Sequence, residues 1–181
     1  MPTPSPLPFA RFAALHVPGD PVVLFNVWDA GSAKAVGAAG AKALATGSHP
    51  VASAHGFPDG ETVPIEFALA NAKRIVDAVE LPVSVDFEGA YSTDPARGAE
   101  NVAILAATGV VGCNFEDQVI GGEGVHPLQL QGQRIAAIRC PCSASGWTPS
   151  PPITWSSKLQ PTTPVAARMA TFSAPRAGSV E

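Results

Sequence analysis

LPVSVDFE, residues 81–88, is an apolar, β-branched run that closes on two acids one residue apart, Asp86 and Glu88. Its length and composition are those of a buried strand. Side chains two apart on a strand point to the same face, so the two carboxylates can converge on one ligand. In a sheet of parallel strands joined by helices, such a pair belongs where the strand ends and the loop to the next helix begins, because there the buried scaffold meets solvent.

Working outward, the same alternation repeats. ARGAENVAILAATG (96–109) predicts a helix, VVGCNFED (110–117) a strand ending in Glu116 and Asp117, and HPLQLQGQRIAAIR (126–139) a helix with Leu128, Ile135 and Ile138 facing inward. Upstream, a helix is expected from Pro64 to Val79, with Thr62 as cap, Pro64 in its first turn, and Phe67, Leu69, Ala72, Ile75 and Val79 as the inward stripe. The stretch SHPVASAHGFPDGET (48–62) reads as a long loop after the strand KALATG (42–47). AGSAKAVGAAGA (30–41) reads as a helix and VVLFNVW (22–28) as the first strand. Short β-rich runs alternating with helical ones predict an α/β fold of repeated βα units around a parallel sheet.

Composition limits the function classes. The chain of 181 residues is 46% hydrophobic and 14% charged, which suits a globular domain rather than a tail or coiled coil. A net charge of -4 provides no broad basic surface, so neither nucleic acid nor anionic membrane is expected as a partner. No apolar run reaches the ~18 residues of a membrane span, and the start MPTPSPLPFARF lacks the apolar core of a secretory signal, so the expected compartment is the cytoplasm. Cys113, Cys140 and Cys142 are an odd set whose CPC spacing does not suit zinc, and they are read as free thiols, Cys113 as a small core residue.

Residues 140–181 differ in character. They hold seven prolines and a single acid, the final Glu181, with neither helical period nor strand alternation. The expectation is one domain over 1–139 and an irregular or disordered Pro/Ser/Thr-rich tail over 140–181.

Acids recur at successive strand ends: Asp59 in the loop after the second strand, Asp86 and Glu88 after the third, Glu116 and Asp117 after the fourth. Like charges held together raise one another's pKa unless a cation intervenes, and for hard oxygen ligands that cation is commonly Mg²⁺. Taken singly, an acid at a strand end is ordinarily a helix cap or a solvated loop residue, the reading adopted for Asp29, Asp94 and Asp117. TGSHP (46–50) is ordinary turn chemistry, or else a row of backbone N–H groups able to hold a carboxylate or phosphate. His49 and His55 are read as loop histidines.

In order and spacing, FNVWDAGSAK (25–34), ALATGS (43–48), the DG pair at 59–60, VSVDFEGAY (83–91), GCNFEDQ (112–118) and RIAAIR (134–139) resemble the isocitrate lyase and phosphoenolpyruvate mutase superfamily, nearest its phosphonomutase-like branch. The likeness covers about residues 8–139. It implies a (β/α)₈ barrel of TIM type that uses Mg²⁺ to make or break a C–C or P–C bond of a small 2-oxo acid or phosphonate through an enolate. By resemblance, Asp86 is the principal metal ligand, while Glu88 and Glu116 hold the metal mainly through water. Gly47, Ser48 and His49 fall where the family binds the substrate carboxylate, and Asp59 matches the acid of that loop.

Many family members have aspartate where Glu88 stands. The lyase branch carries a KKCGH loop whose cysteine is a general acid, whereas QVIGGEGVHP (118–127) has no such cysteine, so no catalytic acid or base is assigned. About four βα units make only the N-terminal half of the barrel, and the remainder reads as non-family sequence, as a changed reading frame or truncated gene would produce. Two classes of function follow: a Mg²⁺-dependent lyase or mutase, inactive if truncation removed essential groups, or a non-catalytic half-barrel fragment or assembly partner. Half barrels can pair their edges, which leaves a homo-oligomer open.

Overall fold

Four apolar runs pair side by side and in parallel in the computed structural model of the chain, which describes residues 8–139. They are β1 (Phe25–Val27), β2 (Leu44–Thr46), β3 (Val83–Asp86) and β4 (Gly112–Asn114), in the order β1-β2-β3-β4. The register sets Val27 beside Thr46, Ala45 beside Ser84, and Asp86 beside Asn114. All four strands therefore end along one edge of the sheet. Each is followed by a helix, as parallel neighbours require: α2 (Ala30–Ala38), α3 (Ser48–Ala54) with α4 (Ile65–Ala78), α5 (Pro95–Ala106) and α6 (Leu128–Arg139), with α1 (Pro8–Ala14) preceding β1. The expected α/β architecture of four βα units is present.

The core lies between sheet and helices. Val85, Phe87, Cys113 and Phe115 from the third and fourth strand regions pack with Ala72, Val102, Leu105 and Ile138. Val27, Leu44 and Val83 pack with Ala33 and Ile75. Cys113 is the buried core residue its position suggested. Asp29 and Asp94 are helix caps, as read: Asp29 accepts from the Ser32 amide in a capping box, and Asp94 accepts from the Arg97 amide at 2.8 Å.

Several expectations need correction. The strands are shorter than the apolar runs, because pairing stops where the backbone turns toward the helices. The loop 48–62 contains α3, whose single buried residue, Ala52, is too little apolar period to read as a helix. Helix α1, unassigned from sequence, buries Phe12 completely against Ala43 and Val111. Thr62 does not cap α4: its hydroxyl donates to the Pro58 carbonyl, and Pro64 occupies the cap position without a side-chain bond. On α6, Leu128 is 90% exposed rather than inward, and the buried face carries Gln131 and Arg134 beside Ile138. The irregular tail expected over 140–181, with Cys140 and Cys142, lies outside the described residues. No helix of the described residues is long and apolar enough to cross a membrane.

Candidate functional site

The loop after β3 departs furthest from ordinary backbone geometry. Glu88, Ala90 and Tyr91 all have left-handed φ values, of 49°, 59° and 56°, and Glu61, which faces them, has 54°. Such a conformation in non-glycine residues costs about 1–3 kcal/mol each and persists only where the surroundings over-determine it, a situation typical of functional sites. Here the surroundings are hydrogen bonds. The Glu61 amide donates to Glu88 Oε2 at 2.8 Å, and the Tyr91 amide donates to Glu61 Oε1 at 2.8 Å. The Ala90 amide bonds the Phe87 carbonyl, and Asn101 Nδ2 donates to the Ala90 carbonyl.

Asp86 stands at the last position of β3 and is held from three sides. Its Oδ2 accepts from the Ser48 amide at 3.0 Å, its Oδ1 accepts from Asn114 Nδ2 at 2.8 Å, and its own amide donates to Thr46 Oγ1 at 3.0 Å. The parallel register places these partners: Asn114 is directly opposite on β4, and Ser48 follows β2 at the same edge. Asp86 and Glu88 line one hollow together with Thr46, Ser48, Asn71 and Tyr91, floored by Val51, Val63, Ala68, Ala72, Val85 and Phe87. The two acids share this space, but not through the strand alternation expected: β3 ends at Asp86, and Glu88 turns in from the loop at a left-handed φ.

Its electrostatics follow from that crowding. Burial, with repulsion from Asp59, Asp86 and Glu61 added, pushes the Glu88 carboxyl up to about 7 against the pull of the Glu61 amide. Burial likewise raises the Glu61 carboxyl, opposed by bonds from Tyr91 and Gly89 and by the charge of Arg134. It also raises the Tyr91 phenol, with Glu88 and Glu61 adding to the shift.

The other residues expected in the site are distributed around it. Gly47 is packed so closely that a Cβ would lie 2.9 Å from both Asn26 Nδ2 and Pro50 Cγ. His49 and Asp59 stand at the exposed rim, with Nδ1 and Oδ2 3.8 Å apart. Glu116 is buried at 6% exposure outside the lining of the hollow, and its amide donates to the Glu88 carbonyl at 2.7 Å. Among the described residues no three His, Cys, Asp or Glu side chains gather as a direct metal cage. Asp117 is neither a cap nor solvated: it is 6% exposed, burial raises its carboxyl, and Oδ1 has no hydrogen-bond partner among the described residues. The 118–127 loop folds back on itself, with Gln118 bridging Val125 and the His126 amide donating to the Asp117 carbonyl.

Sequence reasoning missed Glu61, Asn114, Thr46 and Arg134. Asn114 is the last residue of the fourth strand, directly opposite Asp86, a place that its position just ahead of the flagged Glu116 and Asp117 could have suggested. Glu61, two residues beyond Asp59, had a similar cue in its proximity to a flagged acid. Thr46 and Arg134 gave none, since a strand threonine and a helix arginine are ordinary in sequence.

Comparison with known proteins places the chain in a family. The family model described as phosphoenolpyruvate phosphomutase matches residues 12–148, a little beyond the point where the motif likeness ends. Two uncharacterized proteins of Mycobacterium tuberculosis are 38% identical over 128 residues, 71% of this chain and 47% of theirs. Among solved structures, a protein of Burkholderia cenocepacia J2315 provisionally described as a phosphonomutase is 44% identical at a TM-score of 0.75, over 78% of this chain and 57% of its own. A 2,3-dimethylmalate lyase, itself a member of the PEP mutase/isocitrate lyase superfamily, is 26% identical at a TM-score of 0.70, over 79% and 50%. The chain thus spans about half the length of the relatives it matches. With the family model covering most of its length, the chain belongs to the phosphoenolpyruvate phosphomutase family of the PEP mutase/isocitrate lyase superfamily.

Proposed function

We propose that this chain is the N-terminal half of a (β/α)₈ barrel that binds Mg²⁺ and a small 2-oxo acid or phosphonate, in the manner of a lyase or mutase acting through an enolate. The observation that carries this reading is the single hollow shared by Asp86 and Glu88, with Glu88 held against several like charges. Such crowding is relieved by a cation, and the donors are the hard oxygens Mg²⁺ prefers.

In this reading Asp86 is the direct ligand, its orientation set by Ser48 and Asn114, while Glu88 and Glu116 act through water. When bound, Mg²⁺ supplies Lewis-acid stabilisation to negative charge developing on an enolate oxygen. The chain's own groups bind and orient: the backbone of Gly47, Ser48 and His49 faces the substrate carboxylate, and Asp59 closes the rim.

A second reading, a non-catalytic half that works by assembling along its sheet edges, draws on β1, where Phe25 is 54% exposed in a strand of buried composition. Calorimetric Mg²⁺ titration, with turnover assays on oxaloacetate, phosphonopyruvate and phosphoenolpyruvate, separates the two. The enzyme reading expects metal binding that Asp86→Ala abolishes with circular dichroism unchanged. Metal affinity unaltered in that variant would sink the site assignment, and a folded protein that binds metal without turnover favours the second reading.

A further inference from the structure

The most deeply buried charge among the described residues lies outside the hollow. Arg134, on α6, is 2% exposed, and no carboxylate within the described residues pairs with it directly. Burying a guanidinium is unfavourable unless its donors are satisfied, and those partners are informative. Nη2 donates to the Gly89 carbonyl at 2.7 Å and to the Ser92 carbonyl at 3.1 Å. Nη1 donates to Gln131 Oε1 at 2.6 Å and to the Glu116 carbonyl at 3.4 Å, a carbonyl that also accepts from Gln131 Nε2 at 3.2 Å. The guanidinium lies over the Phe115 ring, 4.6 Å from its centroid.

Gly89 and Ser92 flank the left-handed pair Ala90 and Tyr91, and Glu116 ends the segment after β4. One planar fork therefore grips the strained loop on both sides and ties it to the neighbouring strand end. Gly89 leaves room for this: a Cβ there would lie 3.3 Å from Arg134 Nη2 and 2.9 Å from Glu61 Oε1. A lysine could not reproduce the grip, since an ammonium has no flat array of donors.

We propose that Arg134 is a positioning residue that holds the acidic loop 88–92 in its strained conformation and in register with the end of β4, so that Glu88 faces the same hollow as Asp86. The grip itself rests on these protein contacts. Only the consequence for affinity rests on the Mg²⁺ reading above.

Amide hydrogen exchange by NMR on metal-free wild type, Arg134→Met and Arg134→Lys tests the grip. Met approximates the volume without donors. The amides of Glu61 and Tyr91, which report the loop, should lose at least about tenfold protection in Arg134→Met beyond any change at the sheet amides of Leu44 and Val111. Arg134→Lys should fall between the two. Uniform loss at all four amides, or none, overturns the proposal. Should Arg134→Met fail to fold, Arg134→Lys decides alone by the same four amides, and a wild-type pattern or a uniform loss in it overturns the proposal. Where wild type binds Mg²⁺, affinity should fall at least about tenfold in Arg134→Met, and an unchanged affinity overturns the positioning role. Failure of wild type to bind Mg²⁺ refutes the metal reading, while the exchange data still decide the grip.

Discussion

Replacing Glu88 by glutamine should change how stability depends on pH. Burial and the surrounding acids raise the Glu88 carboxyl from an ordinary 4.5 to about 7. The folded state thus binds this proton more tightly than the unfolded chain. Stability from this group is fully present below the unfolded value and is lost as pH rises through the folded one, the penalty being complete above about pH 7. At ~1.36 kcal/mol per unit the shift corresponds to roughly 3 kcal/mol. The carboxylate is only 8% exposed, but it lines a hollow open to water, so screening reduces the figure to about 2 kcal/mol. Glutamine keeps an oxygen to accept from the Glu61 amide and removes the titration. Urea unfolding in EDTA at pH 5 and pH 8 measures the difference. Because pH 5 already lies slightly above the unfolded value, about a quarter of the penalty is present there, and wild type should lose about 1.5 kcal/mol more than Glu88→Gln between the two. Parallel curves would show that Glu88 is not held against its neighbours, and the argument for a cation in the hollow would fail with it.

Three further outcomes are expected. Asn114→Leu removes the donor to Asp86 Oδ1 and should weaken Mg²⁺ binding about 10- to 100-fold, as loss of a partner that orients a ligand does; calorimetry showing the wild-type constant would contradict it. Gly47→Ala places a methyl 2.9 Å from the Pro50 ring and Asn26 Nδ2 at an unexceptional φ of −120°, so about 1–3 kcal/mol should be lost to overpacking alone, and a neutral result in urea would mean that α3 shifts freely. Leu105→Ala, at a 1% exposed position in the core between sheet and α5, should cost about 2–5 kcal/mol, and a change under 1 kcal/mol would show that this core is not close-packed.

Much of the fold was written in local pattern. The apolar runs at 22–28, 42–47, 81–88 and 110–117 pair in parallel, and Asp29 and Asp94 cap helices, because hydrophobic period and capping chemistry act over a few residues. Asp86 and Glu88 do line one hollow, but Glu88 reaches it through the left-handed turn beyond the end of β3 rather than by strand alternation, and the motifs pointed to the family that the comparison found. Helix α3 was hidden because seven residues with one buried alanine leave no period to detect. Leu128 misled because apolarity on a helix counts as inward only when a neighbour covers it, and here it is exposed.

What the sequence determined by itself was the parallel βα architecture and the position of acids just past its strand ends, since both follow from hydrophobic period and residue order along short segments. Tertiary structure alone decided which acids meet. Glu61 reaches Tyr91 and Glu88 across a 27- to 30-residue separation, the Glu116 amide bonds the Glu88 carbonyl 28 residues away, and Arg134 grips loops 18 to 45 residues away. Those contacts depend on the relative placement of α6 and the two loops, and on left-handed backbone turns that no residue type at those positions announces.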